Sequence, residues 1–478
     1  MPSTPSARWR VAHPRGSPVL ELRQAFGYLS GGRLVAADPG EPPLVLTGVS
    51  TDTRAVRPGE LFVALRGERF DAHDFVGQAL AAGASALLVE RWTEGCRAPA
   101  LWVADTRRAL GEIAAGWRRR FALPVIAVAG SNGKTTVKEM VGAILTAHVG
   151  EDARLSTRGN LNNDVGVPLT VLRLEARHRA AVIELGMNQP GEIAWLASIA
   201  QAGVALVNNA QREHQEFLGT VEATAHENGA AIAALPADGV AVFPGDDLYA
   251  PIWHALAAGR RTIDFGTDAR CAVHAAPDAR TDGFEMTIDG SPLAVSIAID
   301  GAHNVRNALA AAACCHAIGV PPAVIAAGLA AFRPAAGRLR RLRAESGAAL
   351  IDDSYNANPD SVRAAVDVLA AFASPRLMVL GDMAEVGEQS PKFHAEVGAY
   401  ARSRGLERLL AFGAATRASV EAFGEGAEHF GEIEAVCGRA RELALAGSTV
   451  LVKGSRSMRM ERVVQALAGA AAGGGGHP

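Results

Sequence analysis

Short apolar runs that end in polar or charged residues recur along this chain, and stretches with apolar residues three and four apart separate them. The runs at 125–129, 180–186, 204–209 and 240–243 read as buried strands of a parallel sheet. After the first of them, Val137, Met140, Val141 and Ile144 fall on one helical face. The stretch 106–120 has the same helical character. A second series of strands is expected at 349–353, 376–380, 409–412 and 449–452, with a helix over 362–372. Nearer the start, apolar runs from Leu44 onward, a helix-like stretch at 76–82 and a strand at 86–89 form a smaller set. Residues 262–299 read as short strands joined by turns, an antiparallel extension, and 301–307 opens a long helix over 308–318.

This alternation predicts an α/β protein of three domains with open, mostly parallel sheets. The expected divisions are 1–105, a small α/β domain whose first ~20 residues are a loose tail; 106–332, a central P-loop ATPase-type sheet; and 333–478, a Rossmann-like sheet whose closing residues, from Gly473, are disordered. The break at Phe332–Arg338 (Phe-Arg-Pro-Ala-Ala-Gly-Arg) reads as the linker between the last two.

Composition narrows this picture. Hydrophobic residues make up 49% of 478, which suits a globular enzyme, and a net charge of −3 offers no electrostatic case for nucleic acid or an anionic membrane. Residues 1–18 carry no apolar core of signal-peptide length, and no run suggests a transmembrane helix, so a cytoplasmic protein with no membrane insertion is expected. The five cysteines show no metal or redox spacing. Only Lys134, Lys138, Lys392 and Lys453 are lysines among 47 basic residues, so each marks a place where a compact ammonium is wanted.

The candidate chemistry begins at Gly130-Ser131-Asn132-Gly133-Lys134-Thr135-Thr136, between a strand and a helix. The glycines allow backbone angles that aim N–H groups into one hollow at a helix N-terminus. Lys134 can bridge β- and γ-phosphates, and the Thr135 hydroxyl can ligate Mg²⁺. Val128 stands where the usual P-loop has its first glycine. Glu184 ends the second strand, where Brändén's rule places ligands, and suits Mg²⁺. His214, after the third strand, is a metal ligand or a surface histidine. Asn160, Asn162 and Asn163 suit a sugar, amide or phosphate edge, or a turn. Asn304 and Asn307 share a helical face, for an adenine edge or a cap. Ser50, Thr51, Asp52 and Arg54 hold a polar ligand or make a turn.

Taken together, the phosphate loop, Glu184, His214, His303-Asn304 with Asn307, Arg338 and Asp353 resemble the Mur ligase family over residues 44–467. Within it, Asp352–Pro359, Leu380–Met383 and Val452–Arg459 resemble the branch that adds D-alanyl-D-alanine. The resemblance implies ATP as phosphoryl donor, UDP-N-acetylmuramoyl-tripeptide and D-alanyl-D-alanine as substrates, and a monomer by default. It implies Mg²⁺ on Thr135, Glu184 and His214. Asn304 and Asn307 would meet adenine, Asp353 the ribose and Arg338 the γ-phosphate. Ser50 to Arg54 would recognise the UDP group, and Asn160, Asn162 and Asn163 the sugar or peptide stem. Tyr355, Asn356, Asn358, Lys453 and Ser455 would complete the substrate site. Lys134, His214 and Arg338 would be the catalytic set. Many members carry a carbamoylated lysine where this chain has Asn228; Glu227, or the Asn228 amide with water, is the expected substitute. The rival readings are another Mur-type or folylpolyglutamate-type amide ligase and a nucleotide-gated binding protein.

Overall fold

The computed structural model describes residues 20–35, 42–67, 70–92 and 97–469. The expected tails, before Leu20 and after Gly469, lie outside the described residues. Three main sheets follow one another along the chain.

The central sheet has nine strands. Across it run Arg154–Ser156, Ala180–Glu184, Val125–Ala129, Val204–Val207, Val240–Pro244, Arg261–Gly266, Val273–Ala275, Phe284–Ile288 and Ser291–Val295. Period-two alternation explains how it packs. Ile126, Val128, Val182, Val204 and Leu206 face one core, while Val125, Ala127, Ile183, Ala205 and Val207 face another. The first core is closed by the helices Lys134–Val149, Ala302–Ala317 and Pro322–Ala331; the second by Thr106–Arg118, Glu192–Ala200 and Val221–Ala233. Each buried Val, Leu or Ile contributes about 1.5–3 kcal/mol toward keeping these layers together.

The strand order reverses beside Val125–Ala129: the chain leaves it to build one side of the sheet, then returns to build the other. That switch point opens a crevice at the carboxyl ends of the strands. The antiparallel reading of 262–299 holds only for its last two strands. Arg261–Gly266 and Val273–Ala275 continue the parallel sheet. The helix at Pro322–Ala331, which packs Ile325, Gly328 and Leu329 against the core at the Ile144 turn, had no sequence prediction.

The C-terminal sheet runs Arg340–Arg343, Ala349–Asp353, Thr449–Lys453, Arg376–Gly381, Arg408–Phe412 and Ala427–Phe430, parallel but for its first strand. The N-terminal sheet runs Arg33–Val35, Ala100–Trp102, Ala86–Val89, Glu60–Val63 and Gly48–Ser50, again with one antiparallel edge.

Candidate active site

The phosphate loop leaves the Val125–Ala129 strand at the switch point. Gly130 has φ of 129° and Gly133 of 80°, both closed to most side chains. A Cβ on Gly133 would also lie 2.5 Å from Asn307 Oδ1 and 2.7 Å from Asn208 Nδ2. The loop's first three N–H groups do not face the hollow. Gly130 N–H donates to Asn228 Oδ1 (2.9 Å), Ser131 N–H to the Asn209 carbonyl (3.0 Å) and Asn132 N–H to Asn209 Oδ1 (2.9 Å). The anion cradle is therefore the start of the Lys134–Val149 helix, whose first N–H groups have no intrahelical acceptor.

A polar cavity of about 530 Å³ opens over this helix start, between the central and C-terminal sheets. Lys134 Nζ donates to the Ser131 carbonyl (3.0 Å) and to Glu213 Oε2 (3.2 Å). Thr135 Oγ1 donates to Glu184 Oε1 (3.2 Å), which also accepts from Asn162 Nδ2 (2.8 Å). Arg338 comes from the linker, stacks on the Tyr355 ring 4.0 Å from its centroid, and donates from Nη2 to Thr135 Oγ1 (3.3 Å). The loop's cation, the strand-end carboxylate and the linker guanidinium thus converge on one point.

His214 also lines the cavity, held at a φ of 47°. Its Nδ1 lies 2.8 Å from Glu385 Oε2, close but out of hydrogen-bond alignment. The imidazole holds the Glu385 carboxyl below the usual carboxylate range. Among the described residues no group of three or more His, Cys, Asp or Glu is clustered to hold a metal by itself. What is present is a partial donor set. Glu184 is 2% exposed; its Oε1 takes the Thr135 hydroxyl and its Oε2 has no hydrogen-bond partner. That orphaned oxygen fits a cation that phosphate oxygens would complete.

A second cavity, of about 510 Å³, lies on the other side of Gly133. Asn304 and Asn307 line it but cap nothing: the Ala302–Ala317 helix begins before both of them. They form a chain of amides instead. Asn304 Nδ2 donates to the Asp300 carbonyl (2.6 Å), Asn307 Nδ2 to Asn304 Oδ1 (2.8 Å), and Asn208 Nδ2 to Asn307 Oδ1 (2.9 Å) and the Asn132 carbonyl (2.8 Å). The pair therefore sets the shape of the phosphate loop. Asp353 reaches the same cavity, where Lys453 Nζ donates to its Oδ2 (2.6 Å) and Leu339 N–H to its Oδ1 (3.3 Å). Burial pushes the Asp353 carboxyl up, against the pull of Lys453.

The remaining predicted residues divide. Asn160, Asn163, Tyr355, Asn356 and Asn358 line the first cavity. Asn163 caps a turn through Gly166 N–H (2.9 Å), and Asn358 caps the Pro359–Ala370 helix while its Nδ2 donates to Asn132 Oδ1 (2.9 Å). Ser455, 2% exposed, is fixed by Ala384 N–H (2.7 Å) and the Ala357 carbonyl (3.2 Å). Ser50, Thr51, Asp52 and Arg54 line neither cavity. Asp52 accepts from Arg54 N–H (3.0 Å) and Nε (2.9 Å), and Ser50 Oγ accepts from Asp52 N–H (3.3 Å), which is turn chemistry. Of the two expected substitutes for a carbamoylated lysine, Glu227 is engaged elsewhere: it accepts from Gly191 N–H and Ile193 N–H, each 2.9 Å, at another helix start. Asn228 Oδ1 accepts from Gly130 N–H, while its buried Nδ2 has no protein partner and is the group a water would meet. Asn208, Arg212, Glu213 and Glu385 were not singled out from sequence; for Asn208 the signal was available, since it follows a strand end.

Comparison with known sequences places this arrangement. A model of the Mur ligase middle domain matches residues 128–315, one of the family's glutamate ligase domain 337–456, and one of its catalytic domain 45–118. The chain belongs to the Mur ligase family. It is 43% identical over 454 residues to the UDP-N-acetylmuramoyl-tripeptide–D-alanyl-D-alanine ligase of Escherichia coli K12, covering 94% of this chain and 98% of that one. The enzyme of the same name from Bacillus subtilis is 34% identical, covering 90% and 95%. Among solved structures, MurF from Acinetobacter baumannii superposes with a TM-score of 0.87 at 33% identity, over 94% of this chain and 98% of that one. MurF ligase from Thermotoga maritima in complex with ADP gives 0.78 at 27% identity, over 88% and 96%.

Proposed function

We propose that this chain joins D-alanyl-D-alanine to UDP-N-acetylmuramoyl-tripeptide at the expense of ATP, in peptidoglycan precursor synthesis. The observation that carries the reading is the match to the Escherichia coli ligase along 98% of that enzyme's length. The site supports it chemically. Lys134 and the first N–H groups of its helix bind the triphosphate. Asp353 and the second cavity take the nucleoside. Thr135, Glu184 and His214 would hold Mg²⁺, which would supply positive charge against the phosphate oxygens. Arg338, already on Thr135, faces the γ-phosphoryl group.

The tripeptide's terminal carboxylate attacks the γ-phosphorus, the bond to the β–γ bridging oxygen breaks, and ADP leaves with that electron pair. The acyl phosphate then takes the amine of D-alanyl-D-alanine at its carbonyl carbon. The C–O bond breaks, phosphate departs and the amine loses a proton. Water must be kept from the acyl phosphate, and Tyr355, Asn356 and Glu385 from loops of the C-terminal sheet line the cavity on the side where closure would exclude it.

We assign 1–105 to recognition of the UDP group through Ser50 to Arg54, 106–332 to ATP, and 333–478 to ligation. Among the described residues no helix is long and apolar enough to cross a membrane. A monomer working in the cytoplasm is part of the proposed reading. The test is ADP release with each candidate amine. Release that needs both D-alanyl-D-alanine and the UDP-tripeptide, with the coupled product seen by mass spectrometry, is expected. Hydrolysis of ATP without a coupled product would overturn the reading.

A further inference from the structure

Glu213 is 7% exposed, and its two oxygens are treated differently. Oε2 accepts from Lys134 Nζ at 3.2 Å, while Oε1 is buried with no hydrogen-bond partner. Glu184, across the same cavity, also keeps one carboxylate oxygen engaged and one without a partner. Buried carboxylate oxygens are ordinarily satisfied, so two orphans in one polar cavity mark a missing positive group.

The Lys134 ammonium meets Glu213's charge only while it lies on the loop. It also donates there to the Gly130 and Ser131 carbonyls. A triphosphate at the helix start draws that ammonium away from Glu213. Glu213 would then be a buried carboxylate beside phosphate with no partner, an arrangement that repels the ligand the loop is built to bind. Arg338 cannot replace the lysine without giving up Thr135 and Tyr355. A hard cation bridging carboxylate and phosphate oxygens answers both charges at once, and the free oxygens of Glu184 and Glu213 are the donors it prefers.

We propose that Glu213 is a ligand of a divalent cation in the nucleotide-loaded site, exchanging Lys134 for the metal when phosphate arrives. The proposal rests on the ATP-binding reading above and adds a residue to it.

The test is titration of Mn²⁺ into the full chain with a non-hydrolysable ATP analogue, free Mn²⁺ being read by electron paramagnetic resonance. Binding of the analogue without metal is measured alongside. Glu213→Gln is expected to lose one bound ion or to weaken Mn²⁺ binding at least tenfold, while metal-free analogue binding holds or tightens. Glu213→Asp, which keeps the charge on a shorter arm, should fall between, and it carries the test if the Gln variant does not fold. Wild-type Mn²⁺ stoichiometry and affinity in both variants would overturn the proposal, and a tighter analogue alone would make Glu213 only a restraint on Lys134. A wild-type chain that binds analogue and Mn²⁺ but couples no D-alanyl-D-alanine would sink the ligase reading and leave this proposal standing.

Discussion

Lys134 and Gly133 show how much one position decides. Lys134 is held at the helix start by loop carbonyls and Glu213, while Arg338, the other cation of the cavity, is engaged with Thr135 and the Tyr355 ring. Lys134→Ala should lower coupled product formation by a factor of about 10² or more, the scale for removing a group that stabilises developing charge. Binding of UDP-tripeptide, measured by calorimetry, should be nearly unchanged. Gly133→Ala tests the loop's shape. The new methyl meets two amide side chains at under 3 Å in a left-handed conformation, so the Asn208–Asn307 contact must open. Weaker ATP-analogue binding with wild-type UDP-tripeptide binding is the expected pair of results. The scarcity of lysine was informative in the same way. Lys138 is fully buried against Glu139, and Lys453 is 3% exposed on Asp353. Lys392 is exposed, and its retention has no explanation in its surroundings.

The Ala302–Ala317 helix carries the amide chain into the loop and places His303 beside it. Asn304 Nδ2 lies 3.0 Å from His303 Nε2, which therefore acts as the acceptor of a neutral ring. Burial, aided by the nearby Lys453 ammonium, pushes its pKa down to about 4. The unfolded chain takes up this proton near pH 6.5. Between those values the unfolded state binds more protons, so stability falls as pH drops from about 6.5 toward 4 and this contribution levels off below. His303→Asn should flatten that part of the profile, read as a smaller drop in melting temperature between pH 7 and 4.5 than the wild type shows. The elements themselves were legible because their patterns are local: a continuous apolar run, then residues at helical spacing. The parallel strands at 261–275 were misread because they are short and carry partly polar faces, the pattern that antiparallel hairpins also give. Partner choice was not legible. Asn132 pairs with Asn358 across 226 residues, and no period in the chain connects them. Several site residues were found at strand ends, whereas the contacts that hold them, Asn228 on Gly130 and Glu213 on Lys134, became visible only after folding.

At the scale of the whole molecule the site exists only while the central and C-terminal sheets are held together, and Arg212 is the main tie. Its guanidinium donates to Asp360 (Nε at 3.1 Å to both oxygens) and to Glu396 (Nη1 at 2.7 Å, Nη2 at 3.0 Å), its own N–H reaches Asp360 at 2.9 Å, and it stacks 5.2 Å from the Phe393 ring. Arg363 shares Glu396 at 2.9 Å. Both acids come from the C-terminal domain, whereas Arg212 precedes Glu213 and His214 directly. The tie therefore closes the domains and sets the loop that carries two site residues. Bidentate guanidinium–carboxylate pairs of this kind are stronger than single surface ion pairs, and here Arg212 draws the Glu396 carboxyl below its usual range. Arg212→Ala should open the molecule, seen as a larger radius of gyration by small-angle scattering. It should also raise KM for D-alanyl-D-alanine, because in the ligase reading the amine reacts in the cavity lined from both the central and the C-terminal domains. A double-mutant cycle with Glu396→Ala should give a coupling of about 1–2 kcal/mol in stability, the range for residues within one ion-pair network. Arg363→Ala is the control, since it touches Glu396 from within the same domain and stacks on Tyr400 at 4.2 Å. It should leave the radius of gyration at its wild-type value. If Arg212→Ala raised KM without changing the scattering, the tie would act through Glu213 and His214 rather than through closure. The pairs are only about a quarter exposed, so screening by salt should weaken them little, and the wild-type radius should hold at high salt while that of the variant stays larger.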